Sequence, residues 1–109
     1  MNWMDLSDVL QLEQLKEQSK TQPVVIFKHS TRCSISVMAK QRLERSEPAS
    51  GVAFYYLDLL KHRDISNKIA EVFSVPHQSP QIILLRNGEC VYEETHSGIN
   101  MEEIAEQAG

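Results

Sequence analysis

The sequence predicts one α/β domain, with a central mixed sheet and helices on both of its faces. Three observations predict it. Residues 24–27 (Val-Val-Ile-Phe) and 82–85 (Ile-Ile-Leu-Leu) are apolar without interruption, as strands covered on both faces are. Segments with helical apolar spacing alternate with the strand candidates. Asn87-Gly88 is a two-residue hairpin turn, because both positions tolerate positive φ, so the last two strands run antiparallel.

Each element follows from its residues. Ser7 caps a first helix over residues 8–19, with Val9, Leu10, Leu12 and Leu15 on its apolar stripe. Pro23 ends the connection into strand 24–27. A second helix covers residues 33–45, with Ile35, Met38, Ala39 and Leu43 facing inward, and Pro48 and Gly51 mark its end. Residues 52–58 form the next strand. A strand, a helix and a strand at this spacing make a right-handed βαβ unit with parallel strands. A third helix covers residues 64–73, with Ile65, Ile69, Val72 and Phe73 inward. A loop with two prolines, 75–80, leads into strand 81–86 and its hairpin partner 89–95. Gly98 breaks that strand. Asn100 then caps a helix over residues 101–108, Glu103 completes a capping box, and Ile99 staples against Ile104.

The resulting order, α-β-α-β-α-β-β-α, is the thioredoxin-like plan. It has four strands, and a short strand at 1–4 would make a fifth.

Composition narrows the function. The 109 residues suffice for a single domain, here 1–109. A net charge of −4 with scattered lysines and arginines argues against nucleic acid as the main partner. No apolar run reaches the ~20 residues that span a bilayer, and Met1-Asn2-Trp3-Met4-Asp5 lacks the basic and apolar regions of a secretory signal. Two cysteines at unrelated positions do not form a disulfide framework. A cytoplasmic location is the expectation.

The chemistry concentrates at Cys33, between strand 24–27 and the second helix. A thiolate there is favoured by the unpaired N–H groups at the helix start and by Lys28, His29 and Arg32 nearby. Thr31 can cap the helix, and Arg32 can stabilise charge. Where a dithiol oxidoreductase has its second cysteine, this chain has Ser36. Ser36 either donates to the thiolate from the next turn or faces outward; both readings stand. In the thioredoxin-like plan, Ser79-Pro80 occupies the position of a cis-proline facing the cysteine, where it would present the Ser79 backbone to an extended substrate. His29 reads equally as a site residue or a strand end, and His77 as a loop residue. Cys90 is opposite Leu85 across the hairpin, roughly 17 Å from the proline end at about 3.3 Å per residue. A disulfide needs Cα atoms within about 7 Å, so no Cys33–Cys90 bridge is expected. His29-x3-Cys33 lacks the second ligand pair of a structural zinc site, and no metal is expected.

The run Phe27-Lys28-His29-Ser30-Thr31-Arg32-Cys33-Ser34-Ile35-Ser36, with Ser79-Pro80-Gln81 and Arg86-Asn87-Gly88 downstream, resembles the monothiol bacilliredoxins over nearly the whole chain. That resemblance implies a thiol-disulfide oxidoreductase of the stress response, with no bound cofactor and with bacillithiol, a cysteine–glucosamine–malate thiol, as co-substrate. Its partners would be bacillithiolated proteins and bacillithiol, and the protein is expected to be a monomer. Cys33 would take bacillithiol from the client, and a second thiol would release it. Lys28 and Arg32 are candidates to meet the malate carboxylates. Besides a non-catalytic thioredoxin-fold adaptor in which Cys33 is only a regulatory modification site, two alternatives remain. One is a protein-disulfide redox relay. The other is a glutaredoxin-like iron–sulfur module, weakened because Ser34-Ile35 stands where that module has Gly-Phe.

Overall fold

A computed structural model describes residues 1–109. The elements are β1 (Met4–Asp5), α1 (Gln11–Gln18), β2 (Val24–His29), α2 (Ser34–Glu44), β3 (Ala53–Asp58), α3 (Arg63–Phe73), β4 (Gln81–Arg86), β5 (Glu89–Thr95) and α4 (Met101–Ala108). Five strands form one sheet in the order β1-β3-β2-β4-β5. β1, β3 and β2 are parallel, and β4 and β5 add the antiparallel hairpin. This is the expected thioredoxin-like plan, with the short fifth strand present at Met4–Asp5.

The sheet separates two cores, and β2 feeds both. Its side chains alternate between faces with a period of two. Val24 and Ile26 pack with Leu12 and Leu15 of α1 and with Ile65, Ile69 and Phe73 of α3. Val25 and Phe27 pack with Ala39 and Leu43 of α2 and with Ile104 and Ala108 of α4. Each large apolar side chain so buried contributes about 1.5–3 kcal/mol. The alternation continues past the apolar run, and it sends Lys28 to the α1/α3 face and His29 to the α2/α4 face.

Two helices differ from expectation. The first begins at Gln11 rather than at residue 8. Asp8 Oδ1 accepts from the Leu10 N–H at 2.9 Å. Gln11 Oε1 accepts from the N–H groups of Ser7 (2.7 Å) and Asp8 (2.9 Å). These bonds fix a turn before the helix, so Ser7 does not cap it. Val9 and Leu10 are left in solvent, and Leu12 and Leu15 alone carry the buried stripe. In α2 the buried face is Ser36, Ala39 and Leu43, while Ile35 and Met38 are 50% and 59% exposed. The spacing i, i+3, i+7 selects that face, and Ile35 and Met38 fall beside it.

At the hairpin, Asn87 and Gly88 both have positive φ (52° and 78°). Arg86 pairs with Glu89 and Leu85 with Cys90, as the turn dictates. Leu84 then pairs with Tyr92, so Val91 is the extra residue of a bulge. Asn100 caps α4 by accepting from the Glu103 N–H at 2.8 Å. The Glu103 carboxylate accepts from Gln107 instead of closing the box. Ile99 and Ile104 are both fully buried in one core.

Candidate functional site

The site forms where β2 ends and α2 begins. Cys33 is the N-cap residue of α2, in extended conformation, and it is half-buried. Its N–H donates to Ser30 O at 3.2 Å, and its C=O accepts from the Val37 N–H at 3.0 Å. The thiol therefore rides on a closed turn fixed to the first turn of a helix. Thr31 and Arg32 are exposed on that turn. Thr31 does not cap α2: Cys33 occupies the cap position, and no side chain accepts from the helix start there.

Ser36 neither faces outward nor lies open to solvent. It is wholly buried. Its Oγ is 2.7 Å from His29 Nδ1 and accepts from the Ser30 N–H at 3.0 Å. His29 is therefore part of the site, a role the sequence left at even odds. The imidazole is 4% exposed, stacks on the ring of Phe27 (5.5 Å) and packs at a tilt against that of Tyr56 (5.6 Å). Trp3 stacks on the far side of Phe27 and donates to Glu44, so the N-terminal segment closes the group. Burial is the main cause lowering the His29 pKa, and Lys40 acts in the same direction. Asp58, Ser36 and Glu44 oppose it.

Lys28 departs most from expectation. It is fully buried rather than presented to a ligand, and its Nζ has no hydrogen-bond partner. Desolvation pushes its pKa down to about 8. The cause is the alternation of β2, which turns position 28 into the α1/α3 core opposite Gln81. The other buried polar side-chain atom without a partner is Ser79 Oγ. Ser79-Pro80 is a cis peptide, and Pro80 is buried. His77 is exposed in the loop, 3.3 Å from Ser66 Oγ. Its pKa is lowered by burial, then by Lys28 and Arg63.

Cys90 packs against the α1/α3 core, and burial pushes its thiol pKa up. Both cysteines are free. No group of three or more His, Cys, Asp or Glu side chains is placed to hold a metal ion. No helix is long and apolar enough to cross a membrane.

A thiol at the N-cap of the helix after the central strand, on this sheet order, defines a thioredoxin-fold thiol oxidoreductase. Solved structures place the chain in that class. One protein described as a candidate oxidoreductase with a thioredoxin fold is 34% identical, with a TM-score of 0.81 over 97% of this chain and 93% of the other. Fasciola hepatica thioredoxin is 18% identical, TM-score 0.72, covering 95% and 94%. Trypanosoma brucei brucei thioredoxin is 17% identical, TM-score 0.73, covering 97% and 87%. The last two show the fold alone. Residues 4–104 match the family model Monothiol bacilliredoxin BrxC, and the chain belongs to the monothiol bacilliredoxin family.

Proposed function

We propose that this thiol oxidoreductase removes bacillithiol from mixed disulfides on oxidised proteins. The Cys33 thiolate attacks the bacillithiol sulfur of the client disulfide. The S–S bond breaks, and the client leaves as a thiolate that takes a proton from water. Bacillithiol stays on Cys33 as a mixed disulfide. A second bacillithiol, as thiolate, attacks the bacillithiol sulfur of that disulfide, giving bacillithiol disulfide and the Cys33 thiolate again. Per client, one free bacillithiol is consumed and leaves, joined to the bacillithiol taken from the client, as bacillithiol disulfide.

The observation that carries this reading is the pairing of a half-buried Cys33 with a fully buried, doubly hydrogen-bonded Ser36. Nothing at position 36 can attack a disulfide on Cys33, so the releasing thiol arrives from outside. Membership of the bacilliredoxin family supports bacillithiol as that thiol. Arg32 is exposed beside Cys33, which supports it as the cation that meets the malate carboxylates. Lys28 is fully buried and does not take part in this contact.

A second reading, a relay to another protein thiol, draws on exposed Ile35 and Met38 in the first turns of α2. Intact-mass analysis separates the two. The reduced protein is mixed with a bacillithiolated client, alongside Cys33→Ala and Cys90→Ala variants. Bacillithiol is expected to move to Cys33, to be lost in Cys33→Ala alone, and to be released by free bacillithiol. Transfer that only a protein thiol can complete favours the relay, and no transfer sinks the proposal.

A further inference from the structure

The Ser36 hydroxyl and the His29 ring share one short hydrogen bond, whose direction follows the tautomer of the ring. One lone pair of Ser36 Oγ accepts from the Ser30 N–H. His29 Nδ1 lies 2.7 Å from the same oxygen. When neutral His29 carries its proton on Nε2, the hydroxyl donates to Nδ1. Nε2 has no partner within the chain. The buried side-chain polar atoms left unpartnered are Lys28 Nζ and Ser79 Oγ, so Nε2 keeps contact with solvent.

This network reaches the nucleophile. Ser36 holds the Ser30 N–H, and the Ser30 carbonyl holds the Cys33 N–H. We propose that His29 is a positioning residue for Cys33: as neutral acceptor of the Ser36 proton it holds the Ser30–Cys33 turn in its attacking geometry, and its protonation releases that turn. A protonated ring must donate from Nδ1. Ser36 Oγ would then face two N–H donors, and its own hydrogen would have lost its acceptor. Around the ring, burial and Lys40 on α2 oppose protonation, while Asp58 on β3 and Ser36 and Glu44 on α2 favour it; the Tyr56 ring completes its surroundings. The proposal rests on Cys33 being the reacting thiol and not on bacillithiol being its partner.

The test uses a neutral aromatic disulfide, so failure of the bacillithiol reading leaves it intact. The Cys33 thiolate attacks one sulfur, the S–S bond breaks, and the other half leaves as an aromatic thiolate. In a Cys90→Ala background, the rate is measured from about pH 5 to pH 8, the range in which histidine titrates. It is divided by the thiolate fraction read from ultraviolet absorbance. In the parent protein the rate per thiolate is expected to fall as His29 protonates. His29→Asn, whose amide oxygen accepts from Ser36 but takes no proton, should hold the upper rate at every pH. His29→Leu should be slower throughout, by about three- to tenfold, the worth of one hydrogen bond. Identical rates per thiolate and identical pH profiles in the parent and His29→Asn overturn the proposal, even if His29→Leu fails to fold. Nitrogen-15 NMR showing the neutral ring protonated on Nδ1 overturns it independently.

Discussion

Ser36 Oγ stands 2.7 Å from His29 Nδ1 in the interior, seven residues apart in sequence and joined across the end of β2 and the first turn of α2. The same oxygen accepts from the Ser30 N–H. Position 36, which a dithiol redoxin gives to a second thiol, is here a hydrogen-bonding junction. Ser36→Ala leaves two buried groups without a partner, each at a cost of about 1–3 kcal/mol. The variant is predicted to lose about 2 kcal/mol of stability, the low end of that combined cost. Urea denaturation checks this, and an unchanged midpoint would show that the junction carries no stability.

Lys28 is an unpaired ammonium in the α1/α3 core. The unfolded chain keeps that proton up to about its ordinary value of 10.5, whereas the folded chain gives it up at about 8. Between these values the unfolded state binds more protons, so stability rises with pH across the window. Below it the burial penalty is present in full. Lys28→Met is therefore predicted to raise stability at neutral pH by roughly 1–3 kcal/mol. That advantage should shrink as pH climbs from 8 to 10.5. Denaturation at neutral and alkaline pH measures both effects; a variant less stable than the parent at neutral pH contradicts the account.

Arg42 joins α2 to the segment before α4. Its Nε donates to Ile99 O at 2.9 Å and its Nη2 to His96 O at 3.0 Å. His96 has positive φ (52°), so the clamped backbone is one that a side chain rarely adopts. Arg42→Ala is predicted to cost about 2 kcal/mol, since hydrogen bonds to charged groups are the stronger kind. Arg42→Lys should recover little, because a point charge cannot make both bonds in a fixed fork. Thermal denaturation of the three proteins tests the ranking.

The sheet was legible because it is written in continuous apolar runs and one turn dipeptide. Val24-Val25-Ile26-Phe27 marks a strand covered on both faces, and Asn87-Gly88 pairs Arg86 with Glu89 and Leu85 with Cys90, whereas the bulge at Val91 left no such mark. The helix faces were less so. In α2, apolar residues sit at 35 and 38 although the packed face runs through 36, 39 and 43. A buried serine carries no hydropathy signal, so periodicity pointed to Ile35 and Met38. The site was legible as a thiol at a strand–helix junction, but not as a network. The signal for His29 was parity: with Val25 and Phe27 buried in the α2 core, position 29 falls on the same face. The same parity places Lys28 inside, against its charge. The Arg42 clamp joins residues more than fifty positions apart, and only the folded chain brings them together.

Cys90 sits opposite Leu85, beside Val72 and the α1/α3 core, and burial holds its thiol in the protonated form. Thiolates, not thiols, are alkylated. With the reduced protein at neutral pH, mass spectrometry after a limiting pulse of iodoacetamide should find label on Cys33 and little on Cys90. Cys90→Ala should leave disulfide exchange at Cys33 unchanged. Equal labelling of the two cysteines would contradict a Cys90 thiol held protonated by burial.

Arg32 is exposed on the turn that carries Cys33, so the carboxylate contact proposed for it would be electrostatic and screened. Exposed charge pairs are worth about 0.2–1 kcal/mol. Arg32→Gln is therefore predicted to slow reaction with a bacillithiolated client by no more than about fivefold. The deficit should shrink with added salt, because counterions screen the malate carboxylates from the guanidinium in the parent protein as well. A neutral disulfide has no carboxylates to lose. Against it the variant should slow less, and any slowing that remains measures the effect of Arg32 on the Cys33 thiolate itself. Stopped-flow rates for both substrates at low and high salt separate the two contributions. Equal slowing for both would mean that Arg32 acts on the sulfur and not on the ligand, and the carboxylate contact would have to be sought elsewhere.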